Sequence, residues 1–146
     1  MRWRVATAFC AFALIASFVV AGDAKACSCV LPDEGFVRRA DAAVTATLVE
    51  VRPVAGDPGR ADFDYLVKRV FKGQQVIGTG QLLSVRGWLG EAGCGLPEHL
   101  GRRYGLFLDR RSHRWRSNLC QVVSPAEMKK LTSDRRFGPS AGSGCS

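Results

Sequence analysis

The sequence predicts an all-β fold with small helices: a closed or partly open antiparallel barrel, exported and stapled by disulfides. Three observations predict it. An export-type leader fills residues 1–26, five cysteines remain after it, and five short apolar or alternating runs separated by turn residues occupy most of the rest.

The leader comes first. Arg2 and Arg4 give a positive start, residues 5–22 are uncharged and mostly apolar, and Ala24-Lys25-Ala26 presents small residues at the two positions a signal peptidase reads. Cleavage after Ala26 is therefore expected, leaving a mature chain of residues 27–146 that is secreted, either extracellular or periplasmic. The rival readings are a membrane anchor and a lipidated Cys27. The uncharged stretch sits at the lower edge of spanning length, and Lys25 interrupts the small, apolar run expected before a lipidated cysteine. No membrane span is expected after cleavage.

Cleavage changes the charge balance only slightly. Lys+Arg falls from 21 to 18 as Arg2, Arg4 and Lys25 leave, and Asp+Glu from 13 to 12 as Asp23 leaves, for a net charge near +6. That length suits one domain. The basic balance favours acidic partners such as anionic glycans, a cell surface or an acidic protein rim. Nucleic acid is not expected as a partner of an exported chain.

The elements follow in order. Residues 33–40 (DEGFVRRA) read as a short helix. Residues 42–51 (AAVTATLVEV) read as a long strand, and residues 53–59 (PVAGDPG) as a loop. Residues 63–71 (FDYLVKRVF) form a second strand ended by Lys72-Gly73, and residues 81–86 (QLLSVR) a short third. Residues 104–109 and 115–123 are the fourth and fifth strands, joined by the polar turn Arg110-Arg111-Ser112-His113-Arg114. Ser124 suits an N-cap before a helix at residues 125–131, with Pro125 at its first position and Glu127 completing a capping box. From Thr132 the chain turns polar and Gly/Ser-rich, so a loose tail is expected.

Cys10 leaves with the leader, so Cys27, Cys29, Cys94, Cys120 and Cys145 remain. Export makes disulfides their default use, with one cysteine left over. A bond between Cys27 and Cys29 is disfavoured because so small a ring strains disulfide geometry; the remaining pairings stay open on spacing alone. His99 and His113 lie far apart, and no cysteine stands at finger spacing, so they read as exposed loop residues rather than ligands. Arg110, Arg111, Arg114 and Arg116 are candidate polyanion contacts, weighed against a solvated hairpin tip with Trp115 turned inward. Trp88 reads either as an exposed contact or as half-buried packing. Asp33-Glu34 reads as surface. No Ser–His–Asp arrangement or phosphate-cradling glycine loop stands out, so no enzyme, cofactor or metal site of its own is expected.

The mature start Cys27-Ser28-Cys29-Val30-Leu31-Pro32 resembles the Cys-x-Cys opening of the tissue inhibitors of metalloproteinases. Other matches follow in order: Ala40-Asp41-Ala42-Ala43-Val44 entering a strand, residues 65–73 (YLVKRVFKG) with a Lys-Gly exit, Cys94-Gly95, Leu119-Cys120 before a Ser-Pro helix start, and Cys145 near the end. The resemblance covers essentially residues 27–145. It implies the netrin-like version of the five-stranded Greek-key OB-fold barrel and the pairings Cys27–Cys94 and Cys29–Cys120. It departs in two places, and one is the family's second, carboxy-terminal domain, whose absence makes a single-domain form the expectation here. The family's third early cysteine is missing, since the region reads Val37-Arg38-Arg39-Ala40. Cys145 is then expected to be unpaired or to bridge two chains.

The chemistry the resemblance implies is inhibition of a zinc metalloprotease. Cleavage would free the Cys27 α-amine, which with the Cys27 carbonyl closes a five-membered chelate on the protease's zinc. A catalytic zinc keeps one position for water, and the chelate would take it. The amine sheds its proton readily enough near neutrality, because an α-amino pKa is about 8. Ser28 would enter the pocket beside the zinc, and Val30, Leu31 and Pro32 would extend along the cleft. The alternative is a secreted netrin-like module that binds a protein or polyanion and inhibits nothing.

Overall fold

The computed structural model describes residues 27–30, 32–90 and 93–133. The expected leader, Leu31, the tail beyond residue 133 and Cys145 lie outside them. The element order is α1 (Glu34–Arg39), β1 (Ala42–Val54), β2 (Asp57–Lys72), β3 (Leu82–Trp88), β4 (Arg103–Arg111), β5 (Arg114–Arg116), a 3-10 turn (Leu119–Gln121), β6 (Val122–Val123) and α2 (Pro125–Ser133). The fold is mainly β with small helices. No helix among the described residues is long and apolar enough to cross a membrane.

The sheet runs β1-β2-β3-β5-β4-β6, and an added β1–β4 pairing closes its first five strands into a ring. All contacts in the ring are antiparallel except β3–β5, where Val85 and Arg86 pair in parallel with Trp115 and Arg116. Closure needs bent strands. The β1–β2 ladder shifts register four times, between Ala43 and Val44, Thr45 and Ala46, Leu48 and Glu50, and Pro53 and Val54. Such irregularities bend a strand and increase its twist. One end of β1 thereby pairs with β4 through Ala42 to Thr47, while β2 pairs further along with β3.

Period-two alternation sorts the side chains. Val44, Ala46 and Leu48 of β1, Phe63, Tyr65 and Val67 of β2, Val85 of β3, and Leu106 and Leu108 of β4 point into the ring and form the main core. The opposite faces of β1 and β4 are buried too. There Ala43 and Phe107 meet Val37 of α1 and Met128 of α2, with Phe71 and Leu131 at the margin. A glycine makes this close approach feasible. A Cβ on Gly105 would lie 2.8 Å from both Met128 Cβ and Val123 Cγ2.

Both helices are capped, the second at Ser124 as its sequence predicts and the first at Asp33, a cap not among the expectations. Asp33 Oδ1 accepts from the Phe36 amide at 3.1 Å, and Ser124 Oγ accepts from the Glu127 amide at 3.1 Å. The strands depart from expectation in two places. The loop expected at residues 53–59 is a β-hairpin with Ala55 and Gly56 at its tip, Gly56 at φ +79°. Pro53 is tolerated opposite Ala61 because β1 has no second neighbour there. The expected fifth strand at residues 115–123 is broken. Buried Ser117 donates its hydroxyl to the Phe107 carbonyl at 3.0 Å, the 3-10 turn follows, and only Val122 and Val123 rejoin β4.

Candidate functional site: the cysteine-anchored edge

Residues 27–30 have no regular structure and lie against the loop after β3 and the 3-10 turn after β5. Two disulfides hold them. Cys27 is bonded to Cys94 with the Cα atoms 5.3 Å apart, and Cys29 to Cys120 with the Cα atoms 5.1 Å apart. These are the pairings the family resemblance implies. The two bonds pack against each other, since Cys27 Sγ is 3.9 Å from both Cys29 Sγ and Cys120 Sγ.

The anchoring loops are themselves tied together. Leu119 N donates to the Cys94 carbonyl at 3.1 Å, joining the two disulfide-bearing segments directly. Upstream, Leu96 N bonds the Trp88 carbonyl at 2.9 Å, and Glu98 Oε1 accepts from the Gly90 amide at 2.9 Å. Cys94 adopts a positive φ of 63°, a region that non-glycine residues rarely enter. Gly95 has no room for a side chain, because a Cβ there would stand 2.5 Å from the Trp88 carbonyl oxygen. The loop is over-determined, as a position holding backbone strain must be.

On this base the edge presents itself outward. Cys27 is half-buried, Ser28 and Cys29 are exposed, and Val30 is 78% exposed; Pro32 is half-buried just before α1. Leu31, expected to share this surface, falls outside the described residues. Among the described residues the close grouping of metal-type ligand atoms is Cys27, Cys29 and Cys120, with sulfurs within 4.8 Å of one another. Their sulfurs are all committed to disulfides, and metal ligation by cysteine needs the thiolate.

The four candidate polyanion arginines are separated by strand alternation. Asp109 pairs with Arg116, Arg110 with Trp115, and Arg111 with Arg114. Residues directly opposite share a face, so Arg111, Arg114 and Arg116 stand on one side. Arg110 stands on the other, its guanidinium 5.5 Å from the centre of the half-buried Trp115 ring. The turn itself is only Ser112 and His113, and the arginines belong to β4 and β5. His99 and His113 are both exposed.

Sequence reasoning missed three structural contributors. Lys72, read only as the end of a strand, sends its ammonium back to the carbonyls of Val37, Arg38 and Ala40. Arg60 and Arg86 alternate with apolar residues on β2 and β3 and join the outward arginines. The period-two pattern of residues 60–65 (RADFDY) carried that signal. A scan of the chain against protein-family models gives no match, and a search of curated proteins gives none.

Proposed function

We propose that the protein is an exported inhibitor of zinc metalloproteases, acting through the α-amine and carbonyl of Cys27 once the leader is removed. The observation that carries this reading is the paired disulfide anchor. It fixes Cys27 against Cys120 while Ser28, Cys29 and Val30 remain exposed. An edge ordered before binding loses little conformational entropy on docking. A bidentate amine and carbonyl would displace the zinc-bound water, the nucleophile a metalloprotease needs. Ser28 is small enough to enter the pocket beside that zinc, and Val30, Leu31 and Pro32 would lie along the cleft. The zinc belongs to the protease.

The ring order supports the fold half of the same reading. An OB-type barrel is a five-stranded, partly open Greek-key barrel, and the cyclic order β1-β2-β3-β5-β4 with its single parallel contact suits one. We read it as the netrin-like form. A second reading, a secreted binding module without inhibitory activity, draws support from the arginines on the outward face of β3, β4 and β5.

One experiment separates the two. The mature protein beginning at Cys27 is compared with a form carrying one extra alanine before it, against a panel of zinc metalloproteases. Inhibition by the first and a loss of about a hundredfold or more in the second is expected, since the chelate is then gone. Equal potency of both forms, or no inhibition by either, rejects the zinc-chelating role.

A further inference from the structure

Strand pairing gathers arginines from four strands onto one outward face. Arg60 of β2 is opposite Trp88 of β3, Arg86 of β3 is opposite Arg116 of β5, and Arg114 of β5 is opposite Arg111 of β4. Arg60, Arg86, Arg111 and Arg116 line an open cavity of about 430 Å³, walled further by Trp88 and Asn118. Cys94 and Cys120 also line it, so it lies beside the disulfide anchor. Its size is within the range of small-molecule sites.

The charges are not all committed. Arg86 is held by Asp62 through two bonds of 2.8 Å, and Arg60 pairs with Asp57 at 3.4 Å while lying 4.5 Å from the centre of the Trp88 ring. Arg111 and Arg116 make no ion pair among the described residues. The one acidic residue among the described lining residues, Asp109, accepts from Gln121 at 2.8 Å. Three polar atoms of the lining residues are buried and have no hydrogen-bond partner among the described residues: Arg60 Nε and Arg116 Nε, both donors, and Asn118 Oδ1, an acceptor. Buried polar groups are nearly always paired, so each such exception asks for a partner.

Arg60 Nε already faces the Asp57 carboxylate at 3.4 Å, so the other two define the partner's chemistry. Arg116 needs an acceptor, best an anionic oxygen, and Asn118 needs a donor such as a hydroxyl. Fully ionised sulfate supplies the first and not the second; a neutral sugar supplies the second and not the charge. Trp88, 46% exposed at the rim, offers an apolar surface of the kind a sugar ring packs against. We infer that this cavity binds an acidic sugar: a hexuronate unit whose carboxylate meets Arg111 and Arg116, with a ring hydroxyl on Asn118 Oδ1 and the ring beside Trp88. The inference does not depend on a protease partner.

The mature protein is titrated with galacturonate and with trigalacturonate by calorimetry, and with galactose, inorganic sulfate and triglutamate in parallel. Both uronates are expected to bind, and the three controls to bind at least about tenfold more weakly. Equal affinity for monomer and trimer assigns the site to a free or terminal unit; a tighter trimer assigns it to an acidic polysaccharide. Arg116→Gln and Arg111→Gln, the latter at an exposed strand end, are each expected to weaken uronate by about tenfold, the loss of one charge-assisted bond. Arg110→Gln, on the opposite face, should leave it unchanged. No uronate binding, sulfate or triglutamate binding as well as uronate, or an equal loss in Arg110→Gln would overturn the assignment. Inhibition by the same preparation is read separately, so either idea can fail alone.

Discussion

Cys27 Sγ lies 3.9 Å from Cys120 Sγ, although each sulfur is bonded to a different partner. The anchor is therefore a cluster of four sulfurs in which a freed thiol would have a disulfide within reach.

That geometry predicts how the anchor fails. In Cys94→Ser, the Cys27 thiolate faces the Cys29–Cys120 bond. Attack on the Cys120 sulfur forms Cys27–Cys120 and releases the Cys29 thiolate, whereas attack on the Cys29 sulfur would make a strained small ring. Peptide mapping after incubation at mildly alkaline pH should find both Cys29–Cys120 and Cys27–Cys120, and acid trapping at once after refolding should change their ratio. A single Cys29–Cys120 species under all conditions would show that the sulfurs are not aligned for exchange. Loss of the Cys27–Cys94 closure, with its sequence separation of 67, is also expected to cost up to about 4 kcal/mol on the chain-entropy account.

Lys72 predicts a second effect at a distance. Its Nζ donates to the carbonyls of Val37 at 3.0 Å and Arg38 at 2.9 Å, at the C-terminal end of α1 where helix carbonyls lack partners. The positive charge also suits that end of the helix dipole. Lys72→Met keeps the apolar stem and removes every donor. It should lower unfolding stability by about 2 kcal/mol, read as a shift in the denaturant midpoint at constant slope. An unchanged midpoint would mean that water satisfies those carbonyls equally well.

The Ser112-His113 turn predicts a gain. Both residues take positive φ, 49° and 64°, as a two-residue hairpin joining Arg111 to Arg114 requires. Side chains dislike that region and glycine does not. His113→Gly should stabilise the protein by about 0.5–1 kcal/mol. The same replacement at Ala126, in the first turn of α2, should destabilise it. Thermal melts of the two variants moving in the same direction would contradict the turn geometry.

What was legible in the sequence followed from periodicity. Residues 60–65 alternate charge and apolar, and the structure sends Phe63 inward and Asp62 outward to Arg86. β1 was legible only as a strand, because α1 and α2 cover its second face and leave Ala43 and Val44 both fully buried. Alternation cannot announce a face when both are dry. The break at Ser117 was not legible either, since its cause is a hydrogen bond to Phe107 on another strand. The Cys-x-Cys edge was visible because its residues are contiguous. The arginine cavity was legible only in part, through Arg111 and Arg116, because Arg60 and Arg86 join it from β2 and β3 through strand register.

The Asp62–Arg86 pair ties stability to that cavity. The bidentate hydrogen bond from Arg86 holds the Asp62 carboxyl below the ordinary carboxylate range against the opposing effect of partial burial, helped by the charges of Arg86, Arg114 and Arg52. A carboxyl whose folded pKa is depressed contributes stability that is present above its unfolded value. That contribution fades as pH falls below about 4, toward the folded value. Melting temperature should therefore drop more steeply as pH falls below about 4 in the native protein than in Asp62→Asn. The same variant releases the Arg86 guanidinium into the cavity, so at neutral pH it should bind galacturonate several-fold more tightly, an added charge-assisted contact. Parallel acid profiles of the two proteins would deny the pair its role in stability. Unchanged uronate affinity would show that Arg86 does not face the ligand.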